Sequence, residues 1–149
     1  MSEVAIEGTW KGKITYGKTY PPSYRNKVTG FIMDLTLNDK ILKGTCEDDI
    51  TKKLLLRPAV IEGVFSNYTL HFVKIYPCLI LSDDQGNVQA DPSKPAQAIQ
   101  YNGSLYMKYF LFGKVYFKGY WDISGFYTDS NGVNRAYTIG GKFRMDKVD

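Results

Sequence analysis

The sequence predicts an all-β protein whose single domain, residues 1–149, folds as an eight-stranded antiparallel up-and-down β-barrel. Three observations predict this fold class. The chain holds 12 tyrosines, 8 phenylalanines and 2 tryptophans, which favour strands, and 14 glycines, which favour turns and bends. Apolar and polar residues alternate with period two in eight stretches, and no stretch has the period of an amphipathic helix. An eight-stranded barrel is either just filled by side chains or just wide enough for one small ligand.

The first predicted strand, residues 7–16, shows the alternation most clearly. It places Trp10 on the apolar face between Gly8 and Gly12, and every second residue on a wet face. Glycines beside a large indole let a strand bend, as a sheet must when it closes on itself. The same sequence pattern, a glycine two residues before a large apolar residue, recurs at Gly63, Gly103, Gly119 and Gly141.

The next segment, residues 18–27, contains two prolines and is predicted to be a loop that lies over one barrel mouth. Alternation then predicts the second strand at residues 28–38 and the third at residues 41–50. On the third strand the inward face carries Cys46 and Asp48. Asp48 is the charged member of an otherwise apolar face.

The fourth and fifth strands, residues 59–65 and 68–76, are predicted to form a hairpin around Ser66 and Asn67. Alternation alone does not choose the inward face of the fifth strand. Register continuity through a two-residue turn, together with the larger aromatic side chains, favours Phe72 inward. Lys74 then points inward as well.

The longest segment predicted to be irregular is residues 77–98, and the sequence leaves open whether it is a functional loop or a tolerated insertion. The last three strands are predicted at residues 99–106, 115–127 and 137–145. Residues 107–114 are expected either to extend the sixth strand or to form a turn.

Composition and charge argue against several function classes. The net charge is only +4, and the lysines mostly alternate with the large aromatics, so we expect a solvated outer face and no nucleic-acid partner. No stretch is apolar enough for membrane insertion, and no signal peptide is visible, which predicts a cytoplasmic protein. Two cysteines do not make a disulfide framework and are expected to be reduced. We expect a monomer or a weak homo-oligomer.

The candidate binding residues are the polar side chains that point into the barrel. An unpaired charge is not tolerated in a closed apolar interior, so Asp48 and Lys74 either pair, reach water at an open mouth or meet a polar ligand. The predicted ligand-binding set is Asp48, Lys74, Tyr76, Tyr101, Trp121 and Phe72, with Tyr16 as a further inward candidate.

Catalytic and cofactor chemistry finds little support in the sequence. His71 is the only histidine and is predicted to face outward, which argues against a haem or zinc site. Cys46 has no histidine on its predicted face, so no nucleophilic triad is visible. We therefore expect no cofactor, no metal and no catalytic residue, and a binding function is favoured over an enzymatic one.

The predicted function is the non-catalytic binding of a small, mainly apolar or amphipathic molecule inside the barrel. One alternative is a filled barrel that acts as a protein-interaction module through its loops. A third is a barrel-type lipid isomerase or cyclase, which needs few catalytic groups. The cavity volume discriminates between the first two, because a volume well below about 300 Å³, the lower end for ligand sites, would contradict the binding of a ligand inside the barrel.

Three features together resemble the calycins, the superfamily of lipocalins, fatty-acid-binding proteins and avidins. They are the Gly8-Thr9-Trp10 motif on the first strand, the eight-stranded meander and Arg144 on the last strand. The resemblance indicates no single member family. It implies that Trp10 packs at the closed end of the barrel and that Arg144 stacks across it, a contact of about 0.5 to 2 kcal/mol.

Overall fold

The structure is a computed structural model that describes residues 5–25, 27–82, 87–108 and 114–148. These residues form ten strands and no helix. The strands are β1 (Gly8–Thr15), β2 (Val28–Asn38), β3 (Ile41–Asp48), β4 (Ala59–Ser66), β5 (Thr69–Ile75), β6 (Leu79–Ser82), β7 (Val88–Asp91), β8 (Ile99–Met107), β9 (Val115–Thr128) and β10 (Asn134–Lys147).

Eight strands close into an antiparallel barrel in the order β1, β10, β9, β8, β5, β4, β3, β2. Each barrel strand pairs with the next barrel strand along the chain, and β10 pairs with β1 to close the sheet. The two short strands β6 and β7 form a separate hairpin inserted between β5 and β8. The predicted all-β, eight-stranded antiparallel barrel is therefore confirmed.

The period-two alternation of the sequence decides which side chains fill the barrel. On β1, Trp10, Gly12 and Ile14 are buried, whereas the residues between them are exposed. Trp10 packs on Phe117 with ring centroids 4.9 Å apart, and its indole N–H donates to the Ile6 carbonyl at 2.9 Å. We call the barrel end around these residues the closed end, because its apolar side chains are fully buried.

The hairpin between β4 and β5 turns one residue later than predicted. Its turn residues are Asn67 and Tyr68, with φ of 52° and 62°, rather than Ser66 and Asn67. Two successive positive φ values are what a tight two-residue hairpin requires. The shift leaves the side-chain parity unchanged, so Phe72 and Lys74 point inward as predicted.

The segment at residues 77–98 is more ordered than predicted, because it contains the β6–β7 hairpin. Strands of four residues are too short to show a readable alternation. β8 extends to Met107, one residue past its predicted end. The alternatives expected near Gly113 concern residues 109–113, which lie outside the described residues.

The predicted contact between Trp10 and Arg144 is not formed. Arg144 lies between the buried Phe143 and Met145, so the alternation of β10 turns it outward. Its side chain is 51 % exposed, and its guanidinium carbon lies 3.9 Å from the centroid of the Tyr116 ring.

The basic residue that β10 places opposite Trp10 is Lys147. The Lys147 Nζ donates to the Ala5 carbonyl at 2.8 Å, so it ties down the segment that precedes β1. A basic residue therefore lies on the closed end, three positions later in the chain than the resemblance implies.

Candidate functional site

The predicted inward polar residues come together at the barrel end opposite Trp10. Asp48 is the last residue of β3, Lys74 is near the end of β5, and Tyr76 follows β5 directly. Tyr101 is near the start of β8, the strand that pairs with β5. Alternation turns each of these side chains inward, and the Lys74 side chain reaches both Asp48 and the Tyr101 ring inside the barrel.

Asp48 and Lys74 form a buried ion pair. The Lys74 Nζ lies 3.5 Å from Asp48 Oδ2, and the two residues, Lys74 and Asp48, are 2 % and 3 % exposed. The Tyr76 hydroxyl donates to the same carboxylate oxygen. The sequence left open whether these two charges pair, reach water or meet a polar ligand, and the structure shows that they pair.

The second oxygen of the Asp48 carboxylate is held by the turn that follows β3. It accepts the backbone N–H groups of Ile50 at 3.1 Å and Thr51 at 2.8 Å, and the Thr51 hydroxyl at 2.9 Å. Both carboxylate oxygens therefore have donors. This degree of satisfaction is what a buried charge requires.

The ionisation of Asp48 reflects two opposed effects. Burial alone would raise the pKa of Asp48, but the Lys74 charge and the hydrogen bonds from Tyr76 and Thr51 outweigh it. The pKa of Asp48 consequently lies below its ordinary value, and the carboxylate is charged at neutral pH.

Lys74 is charged for the complementary reason. Burial acts to lower the pKa of Lys74, but the acidic groups around it, Tyr101, Tyr76, Cys46 and Asp48, raise it well above its ordinary value. Burial also raises the pKa of Tyr101 to about 12, and it raises the pKa of Tyr76 further. Asp48 is therefore the member of this group that carries the opposite charge at neutral pH, so the ion pair is neutral overall.

Aromatic rings surround the space above this ion pair. Tyr16 contacts Tyr20, Tyr24 and Trp121, with ring centroids between 5.0 and 5.8 Å apart. Tyr20 and Tyr24 belong to the loop that was predicted to lie over a barrel mouth, and that prediction is confirmed. Burial raises the pKa of Tyr16 and of Tyr20, so both hydroxyls stay protonated.

The space between these rings and the ion pair, which we call the mouth cavity, has a volume of about 160 Å³ and opens to solvent. Asp48, Lys74, Tyr76, Tyr101, Trp121 and Tyr16, which were predicted to point inward, all line it. Phe72 does not line it. Instead Phe72 stacks beneath Tyr101, with centroids 4.6 Å apart and ring planes inclined by 11°.

Several lining residues were not found from the sequence. They are Tyr20 and Tyr24 of the first loop, Thr29 of β2, Thr51, and the hairpin residues Leu79, Ile80, Ser82 and Val88. The tyrosines at positions 16, 20 and 24 recur every four residues around the two prolines, and this regularity was the available signal. Nothing local to the hairpin sequence indicates that it covers the mouth.

The groups considered for catalysis lie apart from the mouth cavity. Cys46 and Cys78 are buried and free, and burial raises the pKa of the Cys46 thiol to about 11. His71 is exposed, as predicted, and its Nδ1 is 2.7 Å from Asn102 Oδ1. Within the described part of the chain, no three His, Cys, Asp or Glu side chains are grouped so that they could hold a metal ion.

Comparison with known proteins found no matching family model, no matching curated protein and no matching solved structure. The described residues include no helix long and apolar enough to cross a membrane. The functional interpretation therefore rests on the geometry of this chain.

Proposed function

We propose that the protein binds a small, mainly apolar molecule with one neutral polar group in the mouth cavity, without transforming it. The observation that carries the proposal is the buried Asp48–Lys74 pair at the base of a cavity walled by aromatic rings. Buried polar groups beneath an apolar, concave wall are the usual composition of a small-molecule site.

The volume of the cavity limits the size of the ligand. A volume of about 160 Å³ lies well below the lower end of about 300 Å³ for ligand sites, so it counts against a ligand of ordinary size and restricts the proposal to a much smaller one. An apolar cavity of about 150 Å³ is known to hold benzene. The proposed ligand is therefore no larger than a single ring, and a long-chain lipid, as the isomerase alternative needs, would require the mouth to open.

The charge of the site limits the chemistry of the ligand. Asp48 and Lys74 neutralise each other, and a charged ligand would add a third buried charge without a partner. A hydroxyl or carbonyl group, by contrast, can exchange hydrogen bonds with the Tyr16 hydroxyl and Thr29 Oγ1, which lie 2.9 Å apart. The ring of the ligand would lie against Trp121 and Ile14.

We also propose that the barrel is of the calycin type. The closed eight-stranded meander and the burial of Trp10 near the start of β1 support this assignment. The outward position of Arg144 removes one feature of the resemblance, and Lys147 supplies a basic residue on the closed end in its place.

The alternative function is a protein-interaction module that acts through its loops. The small volume of the mouth cavity favours it, because little of the interior is hollow. The β6–β7 hairpin would be the contact surface, since it lies outside the barrel and exposes Leu81.

A titration monitored by NMR tests the proposal. Phenol, benzyl alcohol and cyclohexanol serve as neutral single-ring probes, and benzene and hexadecanoic acid serve as comparisons. We expect saturable shifts of the amides of Ile14, Thr51 and Trp121 with the ring alcohols, weaker ones with benzene, and none with hexadecanoic acid. Native mass spectrometry of freshly purified protein would identify a ligand that co-purifies.

Two matched variants locate the binding site. Ala96→Phe places a ring at a residue that lines the mouth cavity, and Ala98→Phe makes the same change two positions away at an exposed residue outside the lining. We expect Ala96→Phe to abolish the shifts and Ala98→Phe to retain them. Equal binding by both variants, or no saturable shift in the parent protein with any ring probe, would contradict the proposal and favour the interaction module.

A further inference from the structure

Three cations are aligned across neighbouring strands on the outer surface of the barrel. Lys13 of β1 pairs with Arg144 of β10, and Arg144 pairs with Lys118 of β9. All three are exposed, and neighbouring strands lie about 4.8 Å apart. We call these residues the cationic row. Like charges directly opposite each other destabilise a sheet, so a bound anion would stabilise this part of the barrel.

The cationic row lies in a groove of about 940 Å³ on the outer surface, which we call the outer groove. Lys142 adds a fourth cation to its lining, and the described residues that line it include no Asp or Glu. Asp146, the nearest acidic residue along β10, lies outside the lining and is shared between Lys108 at 2.9 Å and Arg144 at 3.4 Å. The outer groove therefore offers positive charge along its length.

Tyrosine rings border the cationic row on both sides. On one side Tyr106 and Tyr116 stack with centroids 5.3 Å apart; Arg144 lies over the Tyr116 ring at 3.9 Å, and Lys118 lies over the Tyr106 ring at 5.4 Å. On the other side Tyr120 is 65 % exposed and pairs with Lys142 and Asn102 in the sheet. The expectation of no nucleic-acid partner assumed that aromatics and cations lie on opposite faces, and these three tyrosines share the outer face.

We infer that the outer groove binds single-stranded nucleic acid. The cationic row and Lys142 would contact successive phosphates, and a base would stack on the exposed ring of Tyr120. Single-strand binding proteins combine a positive groove with aromatic stacking platforms in this way. The far side of the groove carries polar groups that could contact sugars and base edges, namely Asn102, His71 and Ser104. Asn102 and His71 are linked by a hydrogen bond of 2.7 Å.

The composition of the outer groove favours this partner over two others. A duplex hides its bases in the stack, so it would leave Tyr120 without a partner for its ring. A membrane surface requires an apolar face that enters the lipid, whereas the exposed aliphatic side chains of the groove are Val28 and Val64.

The inference is independent of the proposed function. No residue that lines the outer groove also lines the mouth cavity, so each site can be disabled without touching the other. Failure of nucleic-acid binding would leave the proposed ligand site unaffected, and the reverse also holds.

Fluorescence anisotropy with a labelled 12-nucleotide oligothymidylate tests the inference, with a duplex of the same length and phosphatidylserine vesicles as competing partners. Each phosphate contact of a single strand contributes about −0.7 to the slope of log K against log salt. The four cations therefore predict a slope of about −3. We expect clear preference for the single strand over the duplex and the vesicles.

Matched variants separate the phosphate contacts of the cations from the stacking of a base on Tyr120. Lys118→Gln should reduce the magnitude of the slope by about 0.7, whereas the exposed Lys43→Gln on β3, outside the groove, should leave it unchanged. Tyr120→Ala should weaken binding by about 5- to 150-fold without changing the slope, and Tyr120→Phe should retain the affinity. Tyr127→Ala, an exposed tyrosine on the same strand, is the control.

Three results would overturn the inference. They are no oligonucleotide binding at low salt, equal affinity for single strand and duplex with no effect of Tyr120→Ala, and binding to vesicles in preference to the oligonucleotide. The second result would indicate general attraction of polyanions, and the third would assign the outer groove to a membrane surface.

Discussion

The closed end and the mouth of this barrel are made by the same eight strands and differ in how they are filled. At the closed end Trp10 is fully buried against Phe117, and its single N–H has a backbone acceptor. At the mouth Asp48 and Lys74 are almost as buried, beneath a cavity of about 160 Å³. One end is packed with apolar rings, and the other combines buried charge with empty space.

The two ends therefore differ in what we expect them to contribute to stability. Well-packed apolar residues in place of a buried ion pair are often neutral or stabilising, so we expect that the fold can form without this pair. Every buried side-chain nitrogen and oxygen atom of the described residues nevertheless has a hydrogen-bond partner. Three predictions test the contrast between the two ends.

The largest effect is expected at the mouth. Asp48→Asn leaves the Lys74 charge buried without a counter-charge and should lower the free energy of unfolding by about 3 to 5 kcal/mol. Adding Lys74→Met removes the unpaired charge and should recover at least half of that loss. Urea unfolding at pH 7 measures both. A double variant no more stable than the single one would show that the unpaired Lys74 charge is not the main cause of the loss.

The pH dependence of stability should also arise at the mouth. The pKa of Asp48 is lowered on folding, so its contribution is present above its unfolded value of about 3.9 and is lost as pH falls through the folded value. The pKa values of Lys74, Tyr76 and Tyr101 are raised, so their contributions are present below about pH 10 and are lost as pH rises above it.

Stability should therefore be level between about pH 5 and 9 and fall on either side, by about 1.4 kcal/mol per pH unit for each group. In the Asp48→Asn/Lys74→Met variant stability should fall less steeply at acid pH. The fall should not disappear, because the pKa values of Asp129 and Asp146 are also lowered. Trp10→Phe, at the closed end, should lower the whole curve without changing its shape. An equally steep loss of stability at acid pH in the double variant would show that the ion pair does not cause it.

The smallest effects concern which cation stabilises the closed end. Lys147→Ala removes the hydrogen bond to the Ala5 carbonyl and should lower the free energy of unfolding by about 1 kcal/mol. Arg144→Ala should change it by no more than about 0.5 kcal/mol, because that residue is exposed and the loss of its contacts with Tyr116 and Asp146 is offset by the relief of repulsion with Lys13 and Lys118. If Arg144→Ala proved less stable than Lys147→Ala in urea, Arg144 would be the more important of the two cations, as the calycin resemblance implies.

Much of the fold could be predicted because alternation is a local property. It identified all eight barrel strands and turned Asp48 inward, since successive side chains of any strand point to opposite faces. On the fifth strand alternation left the inward face open, and Lys74 was placed inward by the register through the hairpin and by the larger aromatic side chains. Alternation should have turned Arg144 outward, but the family resemblance was given more weight than the parity of β10. The β6–β7 hairpin could not be recognised, because its strands are too short to show a period.

The sequence by itself therefore determined the fold class and which residues of a barrel strand share a face, because both follow from backbone geometry within a strand. Only the tertiary structure decided that Asp48 and Lys74, 26 positions apart, meet as a pair. It also decided that Tyr20 and Tyr24 cover the mouth and that Lys13, Arg144 and Lys118 form a row. These arrangements depend on register and barrel closure, which are set by contacts between distant segments.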